Sequence, residues 1–251
     1  MMEQGLEFRD VSFSFGIPIL DSCRFSLELG SLAVLLGPSG CGKSTLLRLA
    51  SGFLRPASGT VLFGGLPVLS PGRSRFLIHQ DADQLFPWKS VLANTALPLM
   101  VGPNPLAREE AEARAEKTLG MVGLAERKDD FPRQLSGGMK QRALLARALA
   151  SDADLLLFDE PFVSLDAFSR ETLQELLVEL WHKSGKSILF VTHDIREAAR
   201  IAKTIIFMHP NPGGARIEPL APTGQPLREL ETAEASTLMR ELRRRFQPDR
   251  G

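Results

Sequence analysis

Residues 32–45 constrain this chain more than any other stretch. Leu32-Ala33-Val34-Leu35-Leu36 is an unbroken apolar run of strand length, followed at once by Gly37-Pro38-Ser39-Gly40-Cys41-Gly42-Lys43-Ser44-Thr45. Gly37 and Gly42 flank four residues, and Lys43 and Ser44 come next, the spacing of a phosphate loop between a strand and a helix. The residue types answer to the chemistry. Glycines let backbone N–H groups curl around phosphate oxygens, and the start of the following helix adds the positive end of its dipole. Lys43 brings a point charge to the outer phosphates, and the Ser44 hydroxyl can complete the shell of a Mg²⁺ ion. A chance match in a chain of 251 residues is on the order of one in a hundred. The strand before and the helix after lower it further.

Composition matters here for what it excludes. Thirty basic side chains balance thirty acidic ones, so the bulk charge leaves no footprint for nucleic acid. The longest unbroken apolar runs, such as 32–36 and 155–158, are strand-sized and far short of a bilayer span. The first residues lack the basic-then-apolar pattern of a secretion signal, which predicts a cytosolic chain. Two cysteines, Cys23 and Cys41, make neither a disulfide framework nor a metal site. The length suits one large α/β domain or two lobes.

Before the loop, residues 6–29 alternate like half-buried strands, with Phe8, Val11, Phe13 and Phe15 in one run and Phe25, Leu27 and Leu29 in the next. Phe15, just before a glycine, reads either as a stacking platform for an adenine ring or as a core aromatic. After the loop, a helix is predicted to stop at Gly52, and strands are predicted at 58–65 and 75–80. The second strand ends in Gln80, which reads as a contact to metal or water or as a solvated strand end. Leu85-Phe86-Pro87-Trp88 is a bend whose aromatics belong to satellite core or to an exposed docking surface. A helical pattern covers about 91–149, including a solvated helix over 106–119 and a break at 129–132.

Leu135-Ser136-Gly137-Gly138-Met139-Lys140-Gln141-Arg142 then opens a helix reaching about residue 150, with Ser136 as N-cap and bare N–H groups at the glycines. It is a second anion site, or an ordinary capped helix. Ala153-Asp154-Leu155-Leu156-Leu157-Phe158-Asp159-Glu160 is a buried-type strand ending in two carboxylates, suited to holding Mg²⁺ at Asp159 and polarising a water at Glu160. A helix is predicted over 169–183, a core strand over 187–193 ending in His193, and a last strand over 205–208. The tail from 232 to 246 patterns as a helix with Ala235, Leu238, Leu242 and Phe246 on one face and a basic remainder.

Taken together and in this order, these segments resemble the ATP-binding cassette family over nearly the whole chain. The matching pieces are 37–45 as Walker A, Gln80 as Q-loop, 135–142 as signature, 155–160 as Walker B, 164–166 as D-loop and His193 as switch histidine. The resemblance implies a P-loop NTPase fold: a parallel-sheet α/β core, an N-terminal antiparallel β subdomain and a helical signature subdomain near 86–150. The ATPase domain would span 1–229 and a helical tail 230–251. It also implies a head-to-tail dimer, each ATP lying between one subunit's loop and the other's Ser136, Gly137 and Gly138, with Gln141 and Asp166 nearby. Lys43 and the rest of residues 37–45 would bind phosphates, and Phe15 would face the adenine. Ser44, Gln80 and Asp159 would serve Mg²⁺, Glu160 would be general base, and His193 would contact the γ-phosphate.

Residues 85–88, Met139 in the signature, Asp159-Glu160-Pro161-Phe162 and Pro210-Asn211-Pro212-Gly213 resemble the nitrate/sulfonate/taurine importer group. That resemblance implies a peripheral ATPase on the cytoplasmic face of the inner membrane. Its partners would be a second ATPase subunit, a transmembrane permease and, indirectly, a solute-binding protein, with no nucleic acid. The alternatives are an exporter ATPase, which shares the chemistry, and a cassette acting on nucleic acid or ribosomes, for which the chain lacks a coiled coil, a second cassette and a basic face. Two positions depart from the family pattern. There is no tyrosine for the adenine platform, which Phe15 would supply, and Val163 stands where a small residue is usual.

Overall fold

A computed structural model of the chain describes residues 5–79, 84–102 and 104–219, together with Thr237, Arg240 and Arg244. The chain divides into two compact units, Met1–Gly72 with Ser187–Gly251, and Arg73–Lys186.

The first unit carries β1 (Leu6–Ser14), β2 (Pro18–Leu27), β3 (Leu32–Leu36), helix α1 (Lys43–Ser51), β4 (Ser58–Phe63) and β5 (Leu66–Pro67). Strands β2, β1, β4 and β5 form an antiparallel sheet in that order. The alternation of β1 sends Leu6, Phe8 and Val11 inward. Phe8 stacks on its cross-strand partner Phe25 with ring centroids 4.7 Å apart. Helix α1 stops at Gly52, whose left-handed conformation lets its N–H cap the Leu49 carbonyl.

Strand β3 is buried on both faces, as its apolar run requires of a parallel strand. In the numbering of the whole chain, its neighbours are β8 (Ser187–Thr192) and β9 (Thr204–His209), both parallel to it. Leu36 pairs with Thr192 on one side and Phe207 on the other. The loop after β3, His193 after β8 and the end of β9 therefore emerge at one edge, where open parallel sheets bind ligands. The sequence reading misses the two-residue β5, the short helix of residues Ile195–Ile201 and a strand, β10 (Arg216–Pro219), antiparallel to β9.

Ala215, just before β10, is stitched to β2. Its N–H donates to the Ile19 carbonyl, and its own carbonyl accepts from the Asp21 N–H at 3.0 Å and the Cys23 Sγ at 3.4 Å. Both cysteines are buried thiols outside any disulfide. Burial pushes the Cys23 thiol from 9.0 up to about 11. The folded chain thus keeps this proton where the unfolded chain loses it. The stability it contributes is complete below pH 9 and lost as pH rises toward 11, by about 2–3 kcal/mol. Urea midpoints measured across that window should fall in the native chain and fall less in Cys23→Ala; identical slopes would refute the assignment.

The second unit contains β6 (Arg75–Ile78), α2 (Val91–Met100), α3 (Arg108–Met121), α4 (Gly137–Ala150), β7 (Leu155–Asp159) and α5 (Ala167–Ser184); with α5 numbered, the helix of residues 195–201 is α6. Strands β6 and β7 are parallel, with Ile78 opposite Phe158. The predicted helical stretch is three helices. Their common core is made of small residues, Ala96, Ala111, Ala115 and Ala150 around Leu99, which let α2, α3 and α4 approach closely. Helices α2 to α4 run between Val91 and Ala150, and the compact unit that holds them also takes in β6, β7 and α5. Lys186 closes this unit by donating through Nζ to the Ser151 and Ala153 carbonyls. The tail expected over 230–251 lies outside the described residues apart from Thr237, Arg240 and Arg244, which are helical and exposed.

Candidate nucleotide site

In the first unit, the loop at residues 37–45 is shaped from beneath. A Cβ on Gly37 would lie 2.7 Å from the Met208 carbonyl oxygen of β9, so no side chain fits there. Gly42 adopts φ 104°, and a Cβ on it would meet Ile19 at 2.9 Å and Met208 at 3.2 Å. Ile19 and Met208 are thus the floor of the loop. The sequence reading missed them, because nothing local to either residue reveals that β2 and β9 converge here. Lys43 is buried, and its Nζ donates to the carbonyls of Gly37 and Pro38 at 2.9 Å each. Ser39, Gly40 and Ser44 face solvent, Pro38 and Thr45 are half-buried, and Cys41 is buried.

Phe15 sits in the turn between β1 and β2, four residues before Ile19. It is 59% exposed and packs edge-on against Phe13 with centroids 4.8 Å apart. The core-aromatic reading fails, and a free ring face is left beside the strand that supports the loop. His193 is exposed at the loop's edge of the sheet.

In the second unit, Asp159 is buried at the end of β7, and Glu160 follows with φ 46°, a left-handed conformation for a residue that has a Cβ. The adjoining segment is held by Arg170 of α5, whose guanidinium donates to the carbonyls of Phe162 at 3.3 Å, Val163 at 3.4 Å and Leu165 at 2.9 Å. Sequence reasoning passed over Arg170; its signal was an arginine one turn into a helix that follows a loop rich in bare carbonyls. Asp166 caps α5, its Oδ1 accepting from the Ser169 N–H at 3.0 Å. The Ser169 bonds hold its carboxyl below the usual carboxylate range. The cap explains why α5 begins at Ala167, two residues before the expected start.

Ser136 caps α4 as expected, its hydroxyl accepting from the Met139 N–H at 3.3 Å. Gly137 and Gly138 follow. A Cβ on Gly137 would meet Leu165 at 3.6 Å and one on Gly138 would meet Ser169 at 3.9 Å, ordinary contacts. The fold itself would accept a methyl group at both positions. Gly138 and the capping Ser136 border a cavity of about 440 Å³ shared with Met139, Arg142, Phe168, Ser169 and Thr172. The signature and the start of α5 thus form one surface, with Phe168 82% exposed on it. Gln141 is different: it is 2% exposed, and its buried Nε2 has no hydrogen-bond partner among the described residues. Its amide faces inward. Gln80 lies outside the described residues.

Comparison with known proteins supplies the family. Residues 20–163 match the family model described as ABC transporter. The taurine import ATP-binding protein TauB of Chromobacterium violaceum is 50% identical over 196 residues, covering 78% of this chain and 74% of that protein. Its namesake from Pseudomonas entomophila is 47% identical over 197 residues, again covering 78% and 74%. Among solved structures, cbiO1 from Clostridium perfringens, part of the ABC transporter complex cbiONQ, superimposes with a TM-score of 0.77 at 27% identity, covering 86% of this chain and 87% of that one. The ATP-binding cassette MJ0796, solved as a dimer with ADP and Pi, gives 0.72 at 30% identity over 86% and 98%.

The chain belongs to the ABC transporter family. Within it, the chain is an ATP-binding ATPase subunit, and by sequence it groups with the taurine import ATP-binding proteins.

Proposed function

We propose that this chain is the ATPase subunit of an importer for taurine or a related small sulfonate, working as a head-to-tail pair beneath a membrane permease. The observation that carries the reading is the bare end of α4. Two glycines that the fold does not require keep side chains away from a capped helix N-terminus, as a phosphate approaching from a second subunit would need. The import names of the relatives, 44–50% identical, supply the direction and the solute class. No helix among the described residues is long and apolar enough to cross a membrane. In this reading the permease supplies the membrane path, a solute-binding protein delivers the cargo, and the ATPase sits on the cytoplasmic face.

Lys43 and the loop N–H groups hold the β- and γ-phosphates, and the ring of Phe15 stacks on the adenine. Ser136, Gly137 and Gly138 of the partner subunit close over the γ-phosphate. Glu160 takes a proton from the attacking water, and His193 bonds the γ-phosphate. The available donors, the Ser44 hydroxyl and Asp159 carboxylate with Gln80 in the same role, are hard oxygens that suit Mg²⁺. Among the described residues no group of three or more His, Cys, Asp or Glu side chains could hold a metal ion by itself, so the ion would draw its other oxygens from phosphate and water. When bound, it neutralises charge on the phosphates. Closure does mechanical work because ATP binds the closed pair better than the open one. Trp88, 70% exposed at the tip of its turn, is the surface offered to the permease.

The test is reconstitution of the chain with its permease and binding protein in liposomes containing ATP. Uptake of labelled taurine or another alkylsulfonate that stops with Glu160→Gln supports the reading. Outward transport would make the chain an exporter ATPase, and recovery with nucleic acid and no permease would remove the transport role.

A further inference from the structure

The turn that carries Trp88 is gripped from two sides. Asn94 of α2 is fully buried, and its Oδ1 accepts from the Phe86 N–H at 2.7 Å. Its Nδ2 donates to the carbonyls of Phe86 at 3.1 Å, Lys89 at 3.0 Å and Ser90 at 3.0 Å. A buried amide satisfied on both ends fixes the turn as a rigid piece. The other grip comes from the signature helix. Arg147 of α4 donates through Nη1 to the Gln84 carbonyl at 2.8 Å. Its guanidinium carbon stands 5.1 Å from the centre of the Phe86 ring and 6.0 Å from that of Phe76 on β6. Phe86 in turn packs on Trp88 with centroids 5.3 Å apart.

This is an expensive way to anchor a surface turn. Burial pushes the Arg147 guanidinium below its ordinary pKa, and its buried Nε has no hydrogen-bond partner among the described residues. A leucine would pack against two phenylalanines without either cost. What the guanidinium adds is direction: a planar group that bonds one carbonyl and stacks on a ring ties the turn to α4 in a single orientation. Ser136 caps the other end of that helix, eleven residues away, a span of about 16 Å along a rigid rod.

We propose that Arg147 is a positioning residue that makes the turn at residues 86–88 and the signature end of α4 move as one body. Ligation at residues 136–138 is then felt at Trp88, and a partner bound at Trp88 biases the signature in return. The biological consequence rests on the transport reading above, but the physical coupling concerns this chain alone.

The chain has two tryptophans, Trp88 and Trp181, so Trp181→Phe leaves Trp88 as the sole indole reporter. In the full chain carrying Trp181→Phe and Glu160→Gln, saturating MgATP should change Trp88 emission as the pair closes. Adding Arg147→Met, which keeps the stem and removes the donors and the charge, should abolish about four-fifths of that change. ATP affinity and ATP-driven dimerisation on gel filtration should stay within about twofold. Arg147→Lys keeps the charge but not the planar stack, and should retain less than about half of the response. A full response in Arg147→Met, no Trp88 response in the parent, or a loss that only tracks lost dimerisation would each overturn the proposal. If Arg147→Met fails to fold, Arg147→Lys decides by the same measure. The transport reading fails independently: a chain with the Trp88 response but no permease partner refutes that reading and leaves the coupling intact.

Discussion

Glu160→Gln should lower ATP turnover by about a hundredfold or more, the usual worth of a positioned general base, while ATP remains bound and the closed pair accumulates. The amide keeps the size and the hydrogen-bonding reach of the side chain and removes only its basicity. Backbone geometry singles the residue out as well. Glu160 adopts φ 46° directly after a buried strand, a conformation that costs a residue with a Cβ about 1–2 kcal/mol. Strain of this kind persists where it aims a working group. A paired comparison separates aim from chemistry. Glu160→Ala and Glu160→Gly both lack the carboxylate, yet the glycine variant should be the more stable by about 1 kcal/mol in urea titrations, the reverse of the usual order. Normal hydrolysis by Glu160→Gln would take the base role away from this residue, and an alanine variant more stable than the glycine one would refute the strain.

The second large effect is expected at Lys43. Lys43→Ala should weaken ATP binding by about a hundredfold, measured by titration calorimetry, since charge-assisted bonds to phosphate are lost from a dry site. The two bonds from its Nζ to the Gly37 and Pro38 carbonyls mean that the same side chain also braces the loop. Lys43→Arg should fail to restore affinity although it keeps the charge, because a branched guanidinium needs room that the close approach of Met208 beneath Gly37 denies to the loop. Unchanged affinity in Lys43→Ala would remove the nucleotide assignment altogether.

Much of this was legible in advance, and what was missed has a physical pattern. Strands β3, β7 and β8 announced themselves because strands buried on both faces must be apolar throughout. The caps at Ser136 and Gly52 were readable because capping is a contest between a side chain or a glycine and its own next few residues. Helix α6 and strand β10 went unread: one is a single short helix, the other a four-residue edge, and neither is long enough to display a period. Asp166 had a role implied only by family resemblance; the structure adds a local one, the N-cap of α5.

Gln141 and Phe15 mark the boundary most clearly. Both were nominated as nucleotide contacts from their place in a motif, yet one side chain is buried and the other stands in solvent. The sequence by itself determined the phosphate loop, the paired carboxylates and the signature cap, because each is built from neighbours within about one helical turn. Tertiary structure alone decided which of these side chains are buried as supports and which stay exposed. Met208 beneath Gly37, Arg170 over the loop before α5 and Arg147 over Phe86 are contacts between distant segments, and side-chain burial depends on those neighbours rather than on local spacing.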